Sequence, residues 1–202
     1  MLYTMSDHYY SKQPQSKEKT FHITSSLKGE IFTFQTGAGV FSKREVDFGS
    51  KLLIESFQMP ELAGDVLDLG CGYGPIGISV AYFYRHRHVF LADVNERAIG
   101  LAKYNATMNN VENITILQSD GMAELKERTF AAVITNPPIR AGKQVIQRFY
   151  TESKECLLPG GELWVVIQKK QGAPSTITFL KTLFEHVDIV NKKKGYYIIR
   201  AK

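Results

Sequence analysis

From Gly64 onward the chain alternates short apolar runs with longer amphipathic ones. "DVLDLG" is followed by "GISVAYFYRH", "HVFLADV" by "ERAIGLAKYNATMNN", and then come "ITILQSD" and "FAAVITN". Short continuous apolar runs fit strands buried on both faces, and the longer runs carry helical spacing, so the pattern predicts βαβ units. Further on, "GKQVIQRFYTESKECLL" predicts a helix stopped by "PGG", and "ELWVVIQ" a strand. "TITFLKTLFEH" predicts a last helix, and "VDIVNKKKGYYIIRAK" a terminal hairpin turning on Lys-Gly. The expected class is α/β: a Rossmann-like, seven-stranded, mostly parallel sheet with an antiparallel last strand and helices on both faces.

Upstream, residues 1–20 are polar without a sustained period and predict a flexible arm, in which Met5 is an alternative start. "FHITSSLKGEIFTF" places two β-rich runs around Ser-Ser-Leu-Lys-Gly and predicts a hairpin extension at the domain entrance. Ser42 and Glu45 have capping-box spacing, which predicts a helix from there to about Phe57. The expectation is one domain over residues 21–202.

Composition narrows the classes. The chain has 202 residues, 44% hydrophobic and 22% charged, which is a globular and not a disordered balance. Lys+Arg 25 against Asp+Glu 20 gives +5, which permits an acidic partner without requiring one. The two cysteines, Cys71 and Cys156, have neither metal-ligand nor disulfide spacing, so a cytoplasmic protein is expected. His22, His86, His88 and His186 show no ligand spacing either, and no metal is expected. No apolar run approaches the length of a membrane span.

Chemistry concentrates in "VLDLGCGYGPIGIS", a strand running through Asp68 into Gly70, Cys71, Gly72 and Gly74 and opening a helix. Glycines let a ligand approach the backbone, and the helix start offers free amides to an anion. Gly72, Gly74 and Gly77 satisfy a dinucleotide spacing, with Asp93 placed to hold a ribose. Pro75, however, removes one amide that a pyrophosphate would use, which favours a cofactor with a carboxylate and no diphosphate. A tight turn with packing glycines and no ligand is the plain alternative.

These residues resemble motif I of class I S-adenosylmethionine-dependent methyltransferases, and "ADVNERAIGLAKYNA" resembles their following acidic loop. The resemblance implies S-adenosylmethionine as cofactor, held by Asp68, Gly70, Cys71, Gly72, Gly74 and Asn136, with Asp93 on the ribose hydroxyls and Val94 and Asn95 near the adenine. In "QSDGM" it implies Asp120 accepting from the adenine amino group, with Gly121 and Met122 against the ring. Asp93 or Asn95 capping the next helix, and Asp-Gly as a simple turn, are the structural alternatives.

"NPPI", residues 136–139, ends a buried run with two prolines. Each residue before a proline is held extended, so Asn136 and Pro137 form a stiff corner offering a side-chain oxygen and a carbonyl as acceptors. Two rigid acceptors suit the two N–H bonds of an exocyclic amine and would turn its nitrogen toward a methyl donor. A turn that merely ends a strand is the other reading. The family pattern is Asn-Pro-Pro followed by an aromatic, and here Ile139 stands in its place. Phe41, Tyr73 and Phe149 are candidates to substitute for that ring.

From "GAGVFSKREVDFGSKLL" to "GELWVVIQKKQGA" the chain resembles small, single-domain 16S ribosomal RNA guanine-N2 methyltransferases. The resemblance implies ribosomal RNA or the small ribosomal subunit as partner, with Asn136 and Pro137 catalytic. It also implies that the Phe41 to Gly49 stretch closes over the methionine end of the cofactor. The predicted topology puts Arg140, Lys143, Lys169, Lys170 and Lys192 to Lys194 on one edge, where Phe41, Pro138, Ile139 and those cations would meet RNA. Rival readings are a protein glutamine methyltransferase, a nicotinamide dehydrogenase, and a non-catalytic RNA-binding module.

Overall fold

The structure, a computed structural model, describes residues 20–37 and 45–202. The expected arm up to residue 19, Met5, Phe41 and Ser42 lie outside the described residues. The chain enters through a hairpin of β1 (Thr20–Leu27) and β2 (Glu30–Gly37), whose turn is the pair Lys28-Gly29 alone. Both turn residues have positive φ, 47° and 85°, the conformation that matches strand twist in a two-residue loop. Ser25 to Leu27, expected in the turn, therefore belong to the strand.

Helix α1 (Phe48–Ser56) starts later than the Ser42–Glu45 spacing predicts. Its cap is Asp47, whose Oδ1 accepts the Ser50 N–H at 3.0 Å and satisfies one orphan donor of the first turn. There follow β3 (Asp65–Leu69), α2 (Pro75–Phe83), β4 (Val89–Asp93), α3 (Glu96–Met108), β5 (Ile114–Gln118) and β6 (Phe130–Thr135). Then come α4 (Lys143–Cys156), β7 (Leu157–Gln168), α5 (Ala173–Leu180), β8 (Val187–Lys193) and β9 (Tyr196–Ala201). "PGG" falls inside β7 in an excursion: Leu157 pairs with Phe130, and pairing resumes with Glu162 opposite Ala132. Helix α5 starts at Ala173, ahead of the expected run, because Pro174 fits a first helical turn.

The sheet order is β5-β4-β3-β6-β7-β9-β8, with β9 antiparallel to both neighbours. This is the expected seven-stranded arrangement. Side chains alternate between two cores. Val66, Leu91, Ile134, Trp164 and Ile198 face the hairpin and α1 to α3, whereas Leu67, Phe90, Val133, Val165 and Ile199 face α4 and α5. Burial on both faces explains why the strands read as continuous apolar runs.

The chain leaves β3 outward through β4 to β5, then returns to β6 on the other side of β3. Parallel sheets bind ligands at such a switch, beyond the carboxyl ends of the strands. Thr135 Oγ1 donates to the Leu69 carbonyl at 2.8 Å and ties the two strand ends together there.

The hairpin is fastened to α3 by two asparagines. Asn105 Nδ2 donates to the Gln35 and Tyr73 carbonyls at 3.0 and 2.9 Å, and its Oδ1 accepts the Gln35 N–H at 2.7 Å. Asn109 holds Thr33 in the same two-way fashion, at 3.2 and 2.8 Å. Asn105 is fully buried, so its removal strands several polar groups without water. Asn105→Ala is expected to lower unfolding free energy by about 2–3 kcal/mol, measured as the shift of the urea midpoint.

Candidate functional site

At the switch point lies a cavity of ≈ 210 Å³ with two halves. One half is walled by Gly70, Cys71 and Gly72 after β3, by Asp93, Val94 and Asn95 after β4, and by Ser119 and Gly121 after β5. The other is walled by Asn136 to Arg140 after β6, with Asp47 and Ser50 of α1, Gln171 and Tyr196.

In the first half the Asp93 carboxylate is fixed from below. Its Oδ2 accepts the Gly72 N–H at 2.8 Å and its Oδ1 the Asn95 N–H at 2.9 Å. Each oxygen keeps a lone pair for a further donor. Burial pushes this carboxyl up from its ordinary value, opposed by those same N–H groups. Gly72 has φ +57°, and a Cβ there would meet open space on the ligand side, so the backbone is bare where a ligand would lie against it. Asn95 does both things considered for it: its side chain caps α3 by accepting from Arg97 and Ala98, and it lines the cavity.

This half fits S-adenosylmethionine. Asp93 suits a vicinal diol, the bare Gly70 to Gly72 backbone suits close approach, and Val94, Ala98 and Gly121 offer a small apolar slot for a planar ring. Cys71 is buried, and its thiol is pushed up by burial and by the neighbouring Asp93 and Asp68 carboxylates, so it serves as wall and not as nucleophile.

Several expected contacts lie elsewhere. Asp68 does not line the cavity: strand alternation turns it beneath α2, where Oδ2 accepts the Gly77 N–H at 2.7 Å. Its Oδ1 is buried without a partner, and burial pushes the carboxyl up to about 7. Gly74 is the left-handed cap of α2, where a Cβ would strike Ile78, and it too stands behind the wall. Asp120 is drawn outward by Arg148 of α4 in an exposed ion pair, leaving Ser119 and Gly121 on the wall. Met122 packs in the α4 core, and its N–H donates to Glu152 Oε2 at 3.1 Å. Lys143, Lys169 and Lys170 are exposed at the rim without lining the cavity.

In the second half, Asn136 Nδ2 donates to Ser50 Oγ at 3.0 Å and to Asp47 Oδ1 at 3.4 Å. A carboxylate only accepts, so it fixes which end of the amide faces it and sends Asn136 Oδ1 toward the cavity. Among the described residues, no donor meets that oxygen or the Pro137 carbonyl. The two acceptors expected at this corner are therefore both available. Asp47 and Ser50 are not singled out by the sequence, although both lie in the "GAGVFSKREVDFGSKLL" segment that carries the family resemblance. The signal was the Asp-x-x-Ser spacing at a helix start.

Three of the cations expected on one edge have contacts that place them: Lys169, Lys194 and Arg140. The Lys169 N–H donates to the Gly195 carbonyl at 2.7 Å, which sets the turn after β7 against the Lys194-Gly195 turn. Lys194 Nζ lies 4.9 Å from the Phe48 ring centroid, and Arg140 lines the cavity mouth. Of the proposed substitute rings, Phe41 is outside the described residues. Tyr73 and Phe149 line the cavity but are almost fully buried, Tyr73 against Phe34 and Phe149 near Gly70.

Comparison with known proteins adds independent findings. The family model described as methyltransferase small domain matches residues 31–200. The chain is 53% identical over 199 residues to the uncharacterized protein YbxB of Bacillus subtilis (strain 168), covering 98% of this chain and 99% of that one. It is 35% identical over 180 residues to the ribosomal RNA small subunit methyltransferase C of Hahella chejuensis, covering 85% of this chain and 49% of that one. Among solved structures, it superposes on the T. thermophilus 16S rRNA N2 G1207 methyltransferase in complex with AdoMet and guanosine. The TM-score is 0.81 at 25% identity, covering 94% of this chain and 52% of that one. The chain thus spans about half the length of the ribosomal RNA methyltransferases it matches.

Asp68 yields a pH test. Its folded carboxyl holds a proton up to about 7, against an ordinary value of 3.8. Stability from this group is full below the ordinary value and is lost as pH rises through 7, at about 1.4 kcal/mol per unit between the two. Urea unfolding at pH 5 and pH 8 is expected to show wild type losing stability relative to Asp68→Asn at the higher pH. Equal pH slopes for the two proteins would refute the assignment.

Proposed function

The chain belongs to the methyltransferase small domain family, and on that premise we propose that it methylates the exocyclic N2 of a guanine in small-subunit ribosomal RNA, in the cytoplasm. The observation that carries the reading is the held amide of Asn136 at the cavity wall: among the described residues no donor meets its oxygen or the carbonyl of the adjoining Pro137. S-adenosylmethionine, when bound, supplies a methyl group on a positively charged sulfur.

The residues of this chain supply position. Asn136 Oδ1 and Pro137 O accept the two N–H bonds of the amine and twist its lone pair out of conjugation with the ring, which is what makes the nitrogen nucleophilic. Ser50 and Asp47 keep Asn136 from rotating. The surplus proton on the product nitrogen passes to water, since neither acceptor is basic enough to retain it. Arg140 at the mouth and the Lys169, Lys170 and Lys194 rim suit phosphates flanking the base. A paired base could not reach Asn136, so the target is single-stranded or turned out of its stack. The solved relative, a 16S rRNA N2 G1207 methyltransferase in complex with AdoMet and guanosine, and the match to the small subunit methyltransferase C support guanine and 16S RNA as the class.

The test is transfer of labelled methyl from S-adenosylmethionine to naked ribosomal RNA, isolated subunits or ribosomal proteins. Label is expected in RNA. Asn136→Ala is expected to lower kcat by about 100-fold or more, and Ser50→Ala by about 10-fold, both with cofactor affinity unchanged in equilibrium titration. Label in protein would overturn the reading.

A further inference from the structure

Tyr196, the first residue of β9, lines the cavity together with the Asn-Pro-Pro corner, and nothing in the mechanism above uses it. It differs from the other two rings of the cavity. Tyr73 and Phe149 are each 2% exposed and locked in the cores, whereas Tyr196 is half-buried. Its position is fixed by the backbone: it pairs with Gln168 on one side and Lys193 on the other. Its ring rests on Phe48, with centroids 5.5 Å apart.

Gly49 makes that seat possible, because a Cβ there would come within 2.9 Å of Tyr196 Cε1. The ring is therefore backed by α1 and held beside Asp47 and Ser50, the residues that hold Asn136. Lys194 Nζ lies 4.9 Å from the Phe48 ring centroid and puts positive charge beside this ring pair.

We propose that Tyr196 is the stacking platform for the target base, taking the place of the aromatic that this chain lacks at Ile139. The proposal rests on the base-methylation reading. A half-buried ring that packs against Phe48 and also lines the cavity offers aromatic surface to a base, while Asn136 and Pro137 take the amine. Stacking of this kind tolerates sequence and acts on substrate binding, not on the cofactor. The neighbouring Gln171, exposed on the same wall, is left to approach the base edge.

The experiment compares wild type with Tyr196→Phe, Tyr196→Leu and Tyr196→Leu/Ile139→Phe. The readouts are kcat/KM for labelled methyl transfer to RNA and, separately, affinity for S-adenosylmethionine. Leucine keeps an apolar seat on Phe48 but has no π-face. Tyr196→Phe is expected to stay within about 2-fold of wild type. Tyr196→Leu is expected to lose about 10- to 100-fold in kcat/KM, chiefly through KM, with cofactor affinity unchanged. Phenylalanine at 139 is expected to recover most of that loss. RNA labelling indifferent to Tyr196→Leu would overturn the stacking role alone, as would a parallel loss of cofactor affinity. Label found in protein and not in RNA would overturn the base-methylation reading itself.

Discussion

A carboxylate sealed in the sheet, Asp68, is held by one N–H, that of Gly77 in the first turn of α2. There is no room for anything else: a Cβ on Gly77 would collide with Leu91 and crowd Asp68 Oδ2. The contact draws the start of α2 down onto β3 and so fixes where the glycine loop crosses the strand ends. The Gly72 N–H then lands on Asp93, and Asp93 in turn fixes Asn95 and the start of α3. An expensive buried acid thus acts as the peg on which the ligand-facing backbone hangs. Its unused oxygen is the cost of burying a carboxyl where, among the described residues, a single donor reaches it.

The other half of the site is organised by a different element. Asp47 begins α1 and Ser50 completes its first turn, so the cap of a helix doubles as the clamp on Asn136. A capping residue is among the better-fixed side chains of a protein, because a backbone N–H holds it. Using it to orient an amide makes the acceptor geometry at the double proline a property of secondary structure. Gly49, between them, leaves the space that the Tyr196 ring edge occupies. Three roles within four residues, at Asp47, Gly49 and Ser50, explain why "DFGS" carries so much of the second half.

The sheet was legible because its central strands are buried on both faces and read as unbroken apolar runs, and because Gly and Pro punctuate their ends. The positions of Gly72, Asp93 and Asn136 followed, since strand ends at a switch point are fixed by topology. What escaped was set by contacts between distant segments. Asp68 looks in sequence like part of the loop, but the pleat turns it inward. Asp120 looks like a ligand contact until Arg148, 28 residues on, draws it aside. The start of α1 differs from the expected one because two capping spacings follow one another, and it is Asp47 that receives the helix amide of Ser50. Tyr196 has no local signal: a tyrosine after a Lys-Gly turn is an ordinary strand residue until α1 packs beneath it.

The paired asparagines of α3 have a metric meaning. Four residues along a helix advance roughly 6 Å, and two residues along a strand about 6.8 Å. Asn105 and Asn109 are spaced by the first interval and grip Gln35 and Thr33, spaced by the second. The helix is therefore a ruler laid against the strand, and it admits one register. A slip of a single residue would turn Phe32 and Phe34 out into water while putting both amides opposite the wrong groups. Because Asn105 also holds the Tyr73 carbonyl, the alignment of the hairpin and the alignment of the glycine loop are read off the same mark.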